Sequence, residues 1–182
     1  KNILAIVGAG HLVGMVPSFD SPPNQSEMNA LTKKPPSGRI GYFVGWGICI
    51  LILSMFYVGY QQSPELGWSL VVTWVLINGG LSALGAALAL AHPVSILAAF
   101  FAAPLTSLNP TIGAGMVVGL IESYLRKPKV TDFERLRDDI SSFPMWWKNG
   151  VVRVLLVFFF ANVGSAIGTY VAGASIIQQI LS

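Results

Sequence analysis

Charged residues are scarce in this chain of 182 residues: Asp, Glu, Lys and Arg together make up 10% of it, whereas 53% of the residues are hydrophobic. Soluble globular domains carry about 25% charged residues, so this balance excludes an ordinary soluble domain. The chain has a single cysteine, Cys49, which excludes a disulfide bond within it. Cys49 lies in an apolar segment, and we interpret it as a small residue that packs or faces lipid. The composition predicts an integral membrane protein.

The chain contains long segments without charged residues. Residues 40–60 and 66–91 contain no charged side chain, and each is about as long as, or longer than, the roughly 20 residues that a helix needs to cross a bilayer. We predict a third crossing over residues 151–181. Together with the segments between them, these crossings predict a transmembrane helical domain over residues 40–182.

The apolar stretch of residues 93–125 is too long for one simple crossing. Pro104 and a polar run at residues 106–111 interrupt it, so we predict a broken-helix hairpin made of two short helices. Irregular backbone at membrane depth is tolerated only where protein or a water-filled cavity surrounds it. The break therefore predicts a pocket, and its candidate residues are Thr106, Ser107, Asn109, Glu122 and His92.

Glu122 allows two interpretations. It lies four residues before Arg126, so the two side chains can form an ion pair on one helix face near the membrane surface. An ionisable residue inside a membrane segment is also a functional candidate by default. In that second interpretation, Glu122 faces the break next to Asn109 and lines a path for a peptide or a proton.

Basic residues predict the orientation, because short cytoplasmic loops carry an excess of Lys and Arg. Residues 17–39 form a Pro-rich linker with three basic residues near its end, and residues 126–150 form a second basic segment. Both basic segments are expected to lie on the cytoplasmic side of the cell membrane. The hairpin then begins and ends on the same side. Within the second segment we predict an interfacial helix over residues 131–143.

The first residues have a different character. Residues 3–7 form an apolar run typical of a strand buried in a parallel sheet, and Gly8, Gly10 and His11 follow it. Ligands bind at the carboxyl ends of such strands, and glycines let a metal or a substrate come close. His11 is therefore a candidate catalytic and metal-binding residue. A metal site needs about three protein ligands, however, and a lone histidine is a weak signal.

Several motifs together resemble one family. They are Ile-Val-Gly-Ala-Gly-His-Leu at residues 6–12, Pro-Leu-Thr-Ser-Leu-Asn-Pro-Thr-Ile-Gly-Ala-Gly at residues 104–115, Glu122 with Arg-Lys-Pro at residues 126–128 and Asp-Phe at residues 132–133, and Ala-Asn-Val-Gly-Ser at residues 161–165 with Gly-Thr at residues 168–169. This combination resembles the membrane-bound TraB, or pheromone-shutdown, family, and its archaeal members look closest.

The resemblance implies a chemistry. The TraB family is similar to the TIKI and GumN proteins, whose α/β catalytic domain implies a metal-dependent peptidase with two Gly-x-x-His motifs. Gly8 and His11 match one motif. The other motif and its acidic residues are expected upstream, so residues 1–16 are expected to be the end of the catalytic domain. The metal that the resemblance implies is Mn²⁺ or Co²⁺ rather than Zn²⁺.

The predicted fold class is mostly α: a polytopic helical membrane bundle with a broken-helix hairpin, preceded by the last strand and loop of an α/β catalytic domain. The predicted function is that of the C-terminal membrane portion of a metallopeptidase that degrades or inactivates peptide signals. The alternative is a non-enzymatic membrane transporter or peptide-binding module that uses the hairpin as its site.

The expected partners are the lipid bilayer, a peptide substrate and the upstream catalytic domain of the same protein, and we expect no nucleic acid. Glycines four residues apart at Gly115 and Gly119, and at Gly164 and Gly168, indicate close helix packing. That packing can occur within the chain or between copies of it. The second case would make a homo-oligomer.

Overall fold

The structure, a computed structural model, describes residues 8, 10, 14–15, 24–32 and 40–181, except for the side chains of Glu27 and Leu31. The chain divides into two units, Lys1–Gly38 and Arg39–Ser182. In the first unit, helix α1 covers Gln25–Thr32, within the segment predicted as a linker. Asn24 caps α1 by accepting a hydrogen bond from the backbone N–H of Ser26 at 3.1 Å. The predicted strand at residues 3–7 and His11 lie outside the described residues.

The second unit is built from helices, and no strand occurs among its described residues 40–181. The helices are α2, Ile40–Gln62; α3, Pro64–Leu88; α4, Pro93–Thr106; α5, Ala114–Arg126; α6, Val130–Glu134; α7, Leu136–Ile140; a short 3-10 helix, Phe143–Met145; and α8, Gly150–Leu181. Within the described residues, α2, α3 and α8 are long and apolar enough to cross a membrane. The predicted mostly α-helical membrane bundle with a broken hairpin is confirmed.

Helices α4 and α5 form the broken hairpin. With a rise of about 1.5 Å per residue, α4 is roughly 21 Å long and α5 roughly 20 Å, whereas the hydrocarbon core of a bilayer is about 30 Å thick. Neither helix can cross a bilayer alone. Residues 107–113, which we call the hairpin tip, connect them.

The central contact of the bundle lies between α3 and α8. A Cβ atom added at Gly164 of α8 would collide with the backbone of Leu81 and Ser82, and one added at Gly168 would lie 2.7 Å from the Cα atom of Asn78. Helix α3 also contributes a glycine to this contact, because Gly85 lies directly against the backbone of α8. Close backbone approach of this kind increases dispersion contacts, which drive helix association in lipid. The spacing of Gly164 and Gly168 therefore serves packing within the chain.

Two further helices pack on this pair through glycine. Gly115 and Gly119 of α5 face Phe158 of α8, so this second glycine pair also lies inside the bundle. Gly79 of α3 faces the backbone carbonyl of Phe100 in α4. Pro104, which has no N–H, cannot hydrogen-bond to that carbonyl as residue i+4 of a helix normally does. The hairpin is thus held against both central helices.

Helix α2 lies at the periphery of the bundle. Only Cys49, Ile52 and Gly59 among its residues are buried. At one end, α2 packs against α3, where Gly59 lies against Leu70. Elsewhere it contacts the hairpin tip through Gly45, which faces the ring of Pro110. Most of the α2 surface is therefore available to lipid or to other molecules in the membrane.

The basic segment before α8 contains α6 and α7 in place of the single helix expected over residues 131–143. Asn149 explains the arrangement. Its amide nitrogen donates to the backbone carbonyl of Asp132 in α6 and to the carboxylate of Asp139 in α7, both at 2.8 Å. Its amide oxygen accepts hydrogen bonds from the backbone N–H groups of Val151 and Val152 and so caps α8. One residue thus ties both short helices to the start of α8.

We expect Gly164→Ala to lower the stability of the bundle. The added methyl group would meet backbone atoms of α3, which cannot rotate away, and overpacking of this kind costs about 1–3 kcal/mol. The measurement is the midpoint of thermal unfolding in detergent micelles.

Gly173→Ala is the matched control, because a Cβ atom at Gly173 of the same helix meets nothing within 4 Å. Alanine favours helix by up to about 1 kcal/mol over glycine, so this control should unfold at the same temperature as the native protein or higher. Equal midpoints for both variants would contradict the role given to Gly164.

Candidate functional site

A closed ring of hydrogen bonds connects three elements at the centre of the bundle. The amide nitrogen of Asn78, which is fully buried in α3, donates to Ser107 Oγ at 3.1 Å. The hydroxyl groups of Ser107 and Ser165 lie 2.8 Å apart, and Ser165 Oγ donates back to the amide oxygen of Asn78 at 3.1 Å. Each of the three side chains can therefore donate one hydrogen bond and accept one.

Thr169 completes this group, which we call the polar cluster: Asn78, Ser107, Ser165 and Thr169. The second proton of the Asn78 amide goes to Thr169 Oγ1 at 3.0 Å, and Thr169 Oγ1 donates to the backbone carbonyl of Ser165 at 2.9 Å. A buried polar group without a partner costs about 1–3 kcal/mol. Because the groups satisfy one another, the polar cluster joins the hairpin tip to α3 and α8.

The end of α4 has a partner of its own. The last carbonyl groups of a helix lack hydrogen-bond donors within it. Buried Trp74 of α3 donates its indole N–H to the carbonyl oxygen of Pro104 at 3.1 Å. Beyond α4, the side-chain oxygen of Asn109 accepts the backbone N–H of Thr111 at 3.0 Å, a turn that Asn commonly forms. The chain is thereby directed towards α5.

The start of α5 is capped from another helix. Its N-cap residue, Gly113, has no side chain to accept a hydrogen bond. The amide oxygen of Asn162 in α8 accepts the backbone N–H of Gly115 at 2.9 Å instead. A Cβ atom at either glycine would collide with the Asn162 side chain. Glycine at these two positions therefore makes room for a cap supplied by α8.

A pocket of about 230 Å³ opens at the hairpin tip. We call it the tip pocket, and its lining residues are Thr106, Ser107, Asn109, Pro110, Ile112, Gly113, Ala114, Asn162, Ser165, Ala166 and Thr169. The structure thus brings together three of the residues named from sequence: Thr106, Ser107 and Asn109. None of the lining residues is ionisable, so the pocket offers hydroxyl, carboxamide and apolar groups only.

Glu122 and His92 meet at the other end of the hairpin. Glu122 is fully buried, and its carboxylate accepts hydrogen bonds from Arg126 Nε at 2.8 Å and from the backbone N–H of His92 at 2.9 Å. His92 Nδ1 caps α4 by accepting the N–H of Val94. The structure contains the ion pair that the sequence allowed, and neither Glu122 nor His92 lines the tip pocket.

The turn before α4 depends on the same network. Leu90 has a φ angle of 56°, in the left-handed region that costs an L-residue about 1–2 kcal/mol. Its carbonyl oxygen accepts a hydrogen bond from Arg126 Nη2 at 3.1 Å. Glu122 and Arg126 therefore hold the α3–α4 turn and the end of α5 together.

Sequence reasoning did not select four residues of this site: Asn78, Asn162, Ser165 and Thr169. Asn78 had a usable signal, because it is the one carboxamide in the uncharged residues 66–91, and such side chains hydrogen-bond between membrane helices. The other three lie in motifs that carried the family resemblance. Only the packing of α8 against the hairpin shows what they contact.

The predicted metal site involves His11, Gly8 and Gly10. Among the described residues, no group of three or more His, Cys, Asp or Glu side chains is placed to hold a metal ion. His11 is outside the described residues, whereas Gly8 and Gly10 are described and exposed. The roles of His11, Gly8 and Gly10 therefore stay predictions.

We expect Glu122→Gln to destabilise the bundle by about 1–3 kcal/mol, because the amide nitrogen that replaces one acceptor oxygen would face a donor, either Arg126 Nε or the backbone N–H of His92. Thermal unfolding in detergent would measure the loss. Glu134→Gln removes the same charge at an exposed position of α6 and should change stability by less than about 0.5 kcal/mol. Equal effects of the two substitutions would contradict a structural role for Glu122.

Comparison with known proteins gives two matches. Residues 40–181 match the sequence model of the family described as TraB family protein, C-terminal domain. The chain is also 32% identical over 179 residues to an uncharacterized protein of Methanocaldococcus jannaschii, in an alignment that covers 93% of this chain and 45% of that relative. The chain thus spans about half the length of this curated relative.

No solved structure matches the chain. The family match includes all the helices of the second unit, together with the polar cluster, the tip pocket and the Glu122 network. The predicted resemblance is therefore confirmed, and the chain belongs to the TraB family, whose C-terminal domain it contains.

Proposed function

We propose that residues 40–181 form the membrane-embedded peptide-binding domain of a TraB-family peptidase, and that the tip pocket is where the peptide binds. The observation that carries this proposal is a polar but uncharged pocket at a helix break in a bundle of membrane-length helices. Non-helical backbone in an apolar bundle needs partners or a cavity, and binding sites of membrane transporters are commonly built at such breaks.

The pocket contains hydrogen-bond donors that the described residues do not use. Asn109 and Asn162 each use their amide oxygen within the protein, for the N–H groups of Thr111 and Gly115. Their amide nitrogens have no partner among the described residues. A peptide carbonyl oxygen is an acceptor that these nitrogens can serve, and Thr106 Oγ1, which donates to the carbonyl of Ala102, can still accept a peptide N–H. The pocket therefore suits an uncharged peptide backbone.

Hydrolysis, in this proposal, belongs to the part of the protein that includes His11. The resemblance implies a metallopeptidase in which Gly8 and His11 belong to one of two Gly-x-x-His motifs, with a divalent ion such as Mn²⁺ or Co²⁺. The bundle contributes binding: it holds an apolar peptide in the membrane and presents it. Cytoplasmic placement of the basic segment at residues 126–150 is part of the same proposal.

A transporter is the second candidate, and the broken hairpin itself favours it. Half-helices that end at a polar pocket near the membrane centre are typical of secondary transporters. The Glu122 network would then hold the hairpin while the pocket opens to either side. In that case the protein would move a peptide across vesicle membranes without cleaving it.

Asn109→Asp should weaken peptide binding about tenfold or more. The carboxylate keeps the oxygen that accepts the Thr111 N–H, removes the free amide donor and adds a charge for which the pocket lining has no cationic partner. The measurement is fluorescence anisotropy of a labelled, end-capped oligoleucine peptide with the full-length protein in nanodiscs.

Gln62→Glu is the control for that experiment, since it makes the same amide-to-carboxylate change at an exposed site outside the pocket. It should bind the peptide as the native protein does. Native-like binding by Asn109→Asp would show that the tip pocket is not the binding site.

His11→Ala should abolish Mn²⁺- or Co²⁺-dependent cleavage of the same peptide by the full-length protein and leave its binding unchanged. Asn109→Asp should instead raise KM more than it lowers kcat, because it acts on binding. Mass spectrometry of the cleavage products measures the cleavage rate of each variant, from which KM and kcat follow. If the protein binds the peptide without cleaving it under any metal, and peptide is taken up into proteoliposomes, the peptidase proposal is wrong and the transporter is favoured.

A further inference from the structure

A second cavity, of about 190 Å³, lies between α2 and α8 next to the tip pocket. We call it the side cleft, and its lining residues are Gly45, Ile48, Cys49, Ser107, Pro110, Ala166, Thr169 and Tyr170. Ile48 and Cys49 come from α2, whereas Ala166 and Tyr170 come from α8. The side cleft therefore exists because α2 stands away from α8 at this level of the bundle.

The side cleft and the tip pocket share walls. Ser107, Pro110, Ala166 and Thr169 line both. On the tip-pocket side of these residues lie the carboxamides of Asn109 and Asn162, whereas α2 adds Gly45, Ile48 and the thiol of Cys49 on the other side. A molecule bound across the shared residues would thus meet polar groups at one end and mainly apolar groups at the other.

Neither cavity contains an ionisable Lys, Arg, Asp, Glu or His side chain. A charged group at the centre of a membrane helix costs about 2.5–3.5 kcal/mol, and nothing in the lining would compensate for it. Both cavities consequently disfavour charged side chains, phosphate groups and free carboxylates. Together they suit a ligand with an uncharged polar part and an adjoining apolar part.

We propose that the side cleft is an apolar subsite of the tip pocket, which receives an apolar side chain next to the bound amide group of an uncharged peptide segment. The inference rests on the proposed function and names its substrate class. The polar part of the segment lies against Asn109 and Asn162, and its apolar side chain lies between Ile48 of α2 and Tyr170 of α8. The residues that line both cavities, Ser107, Pro110, Ala166 and Thr169, carry the assignment, because they place the two cavities next to each other.

Photo-crosslinking tests the subsite. The probe is an end-capped Gly-photoleucine-Gly tripeptide, whose leucine side chain carries a photoreactive diazirine, incubated with the full-length protein in nanodiscs. We expect mass spectrometry to find attachment at Ile48, Cys49 or Tyr170. An excess of end-capped Gly-Leu-Gly should compete with this labelling, whereas Gly-Lys-Gly should not. Labelling that the competitor suppresses identifies the specific site, because the probe labels lipid-facing residues whether or not the competitor is present.

A pair of α2 variants supplies a second measurement. Ile48→Trp fills the side cleft and should weaken binding of Gly-Leu-Gly at least tenfold, with little effect on end-capped Gly-Gly-Gly, which has no side chain to place there. Ile50→Trp adds the same bulk on the exposed face of α2 and should leave both affinities unchanged.

The outcomes separate the subsite from the function on which it rests. If Gly-Leu-Gly and Gly-Gly-Gly bind equally well, and competed labelling lies outside the side cleft, the subsite is wrong and the tip pocket stands. If neither peptide binds to the native protein, the proposed peptide-binding function fails, and the subsite fails with it.

Discussion

The broken hairpin depends on hydrogen bonds that other helices supply at its tip and at the adjoining helix ends. An unpaired peptide group in an apolar bundle costs several kcal/mol, on the order of half a small domain's stability, so a helix break there needs external partners. Trp74 binds the carbonyl of Pro104, Asn78 binds Ser107, and Asn162 caps α5 at Gly115. The three donors and acceptors come from α3 and α8. The central helix pair thus makes the irregular backbone possible and, with it, the tip pocket.

Glycine lets these partners reach the tip. Gly164 and Gly168 bring α8 against α3, which places Ser165 within hydrogen-bond distance of Asn78. Gly115 leaves room for the Asn162 side chain. The hydrogen bonds of the polar cluster therefore depend on the close packing of α3 and α8. A larger residue at this contact would separate the helices and break the ring of hydrogen bonds as well. The small residues of this chain serve the site as much as the fold.

The two ends of the hairpin have different chemistry, and this division limits what each end can do. Its charges are concentrated where Glu122, Arg126 and the backbone of His92 hold α5 to the α3–α4 turn. The tip has hydroxyl and carboxamide groups without charge. Strong charge-assisted contacts thus fasten one end, and the other keeps free amide nitrogens at Asn109 and Asn162. The separation keeps the Glu122 carboxylate away from these amide donors, for which it would otherwise be an acceptor.

The sequence by itself determined the membrane class, the long helices, the hairpin break and the family, because hydropathy, proline and turn residues act locally along the chain. It also placed Thr106, Ser107 and Asn109 at the break and paired Glu122 with Arg126, four residues away on one helix. Only the tertiary structure decided that Asn78 and Asn162, from α3 and α8, complete the site, and that Glu122 lies at the opposite end. Those facts depend on how helices pack against one another, and helix packing is not a local property of the sequence.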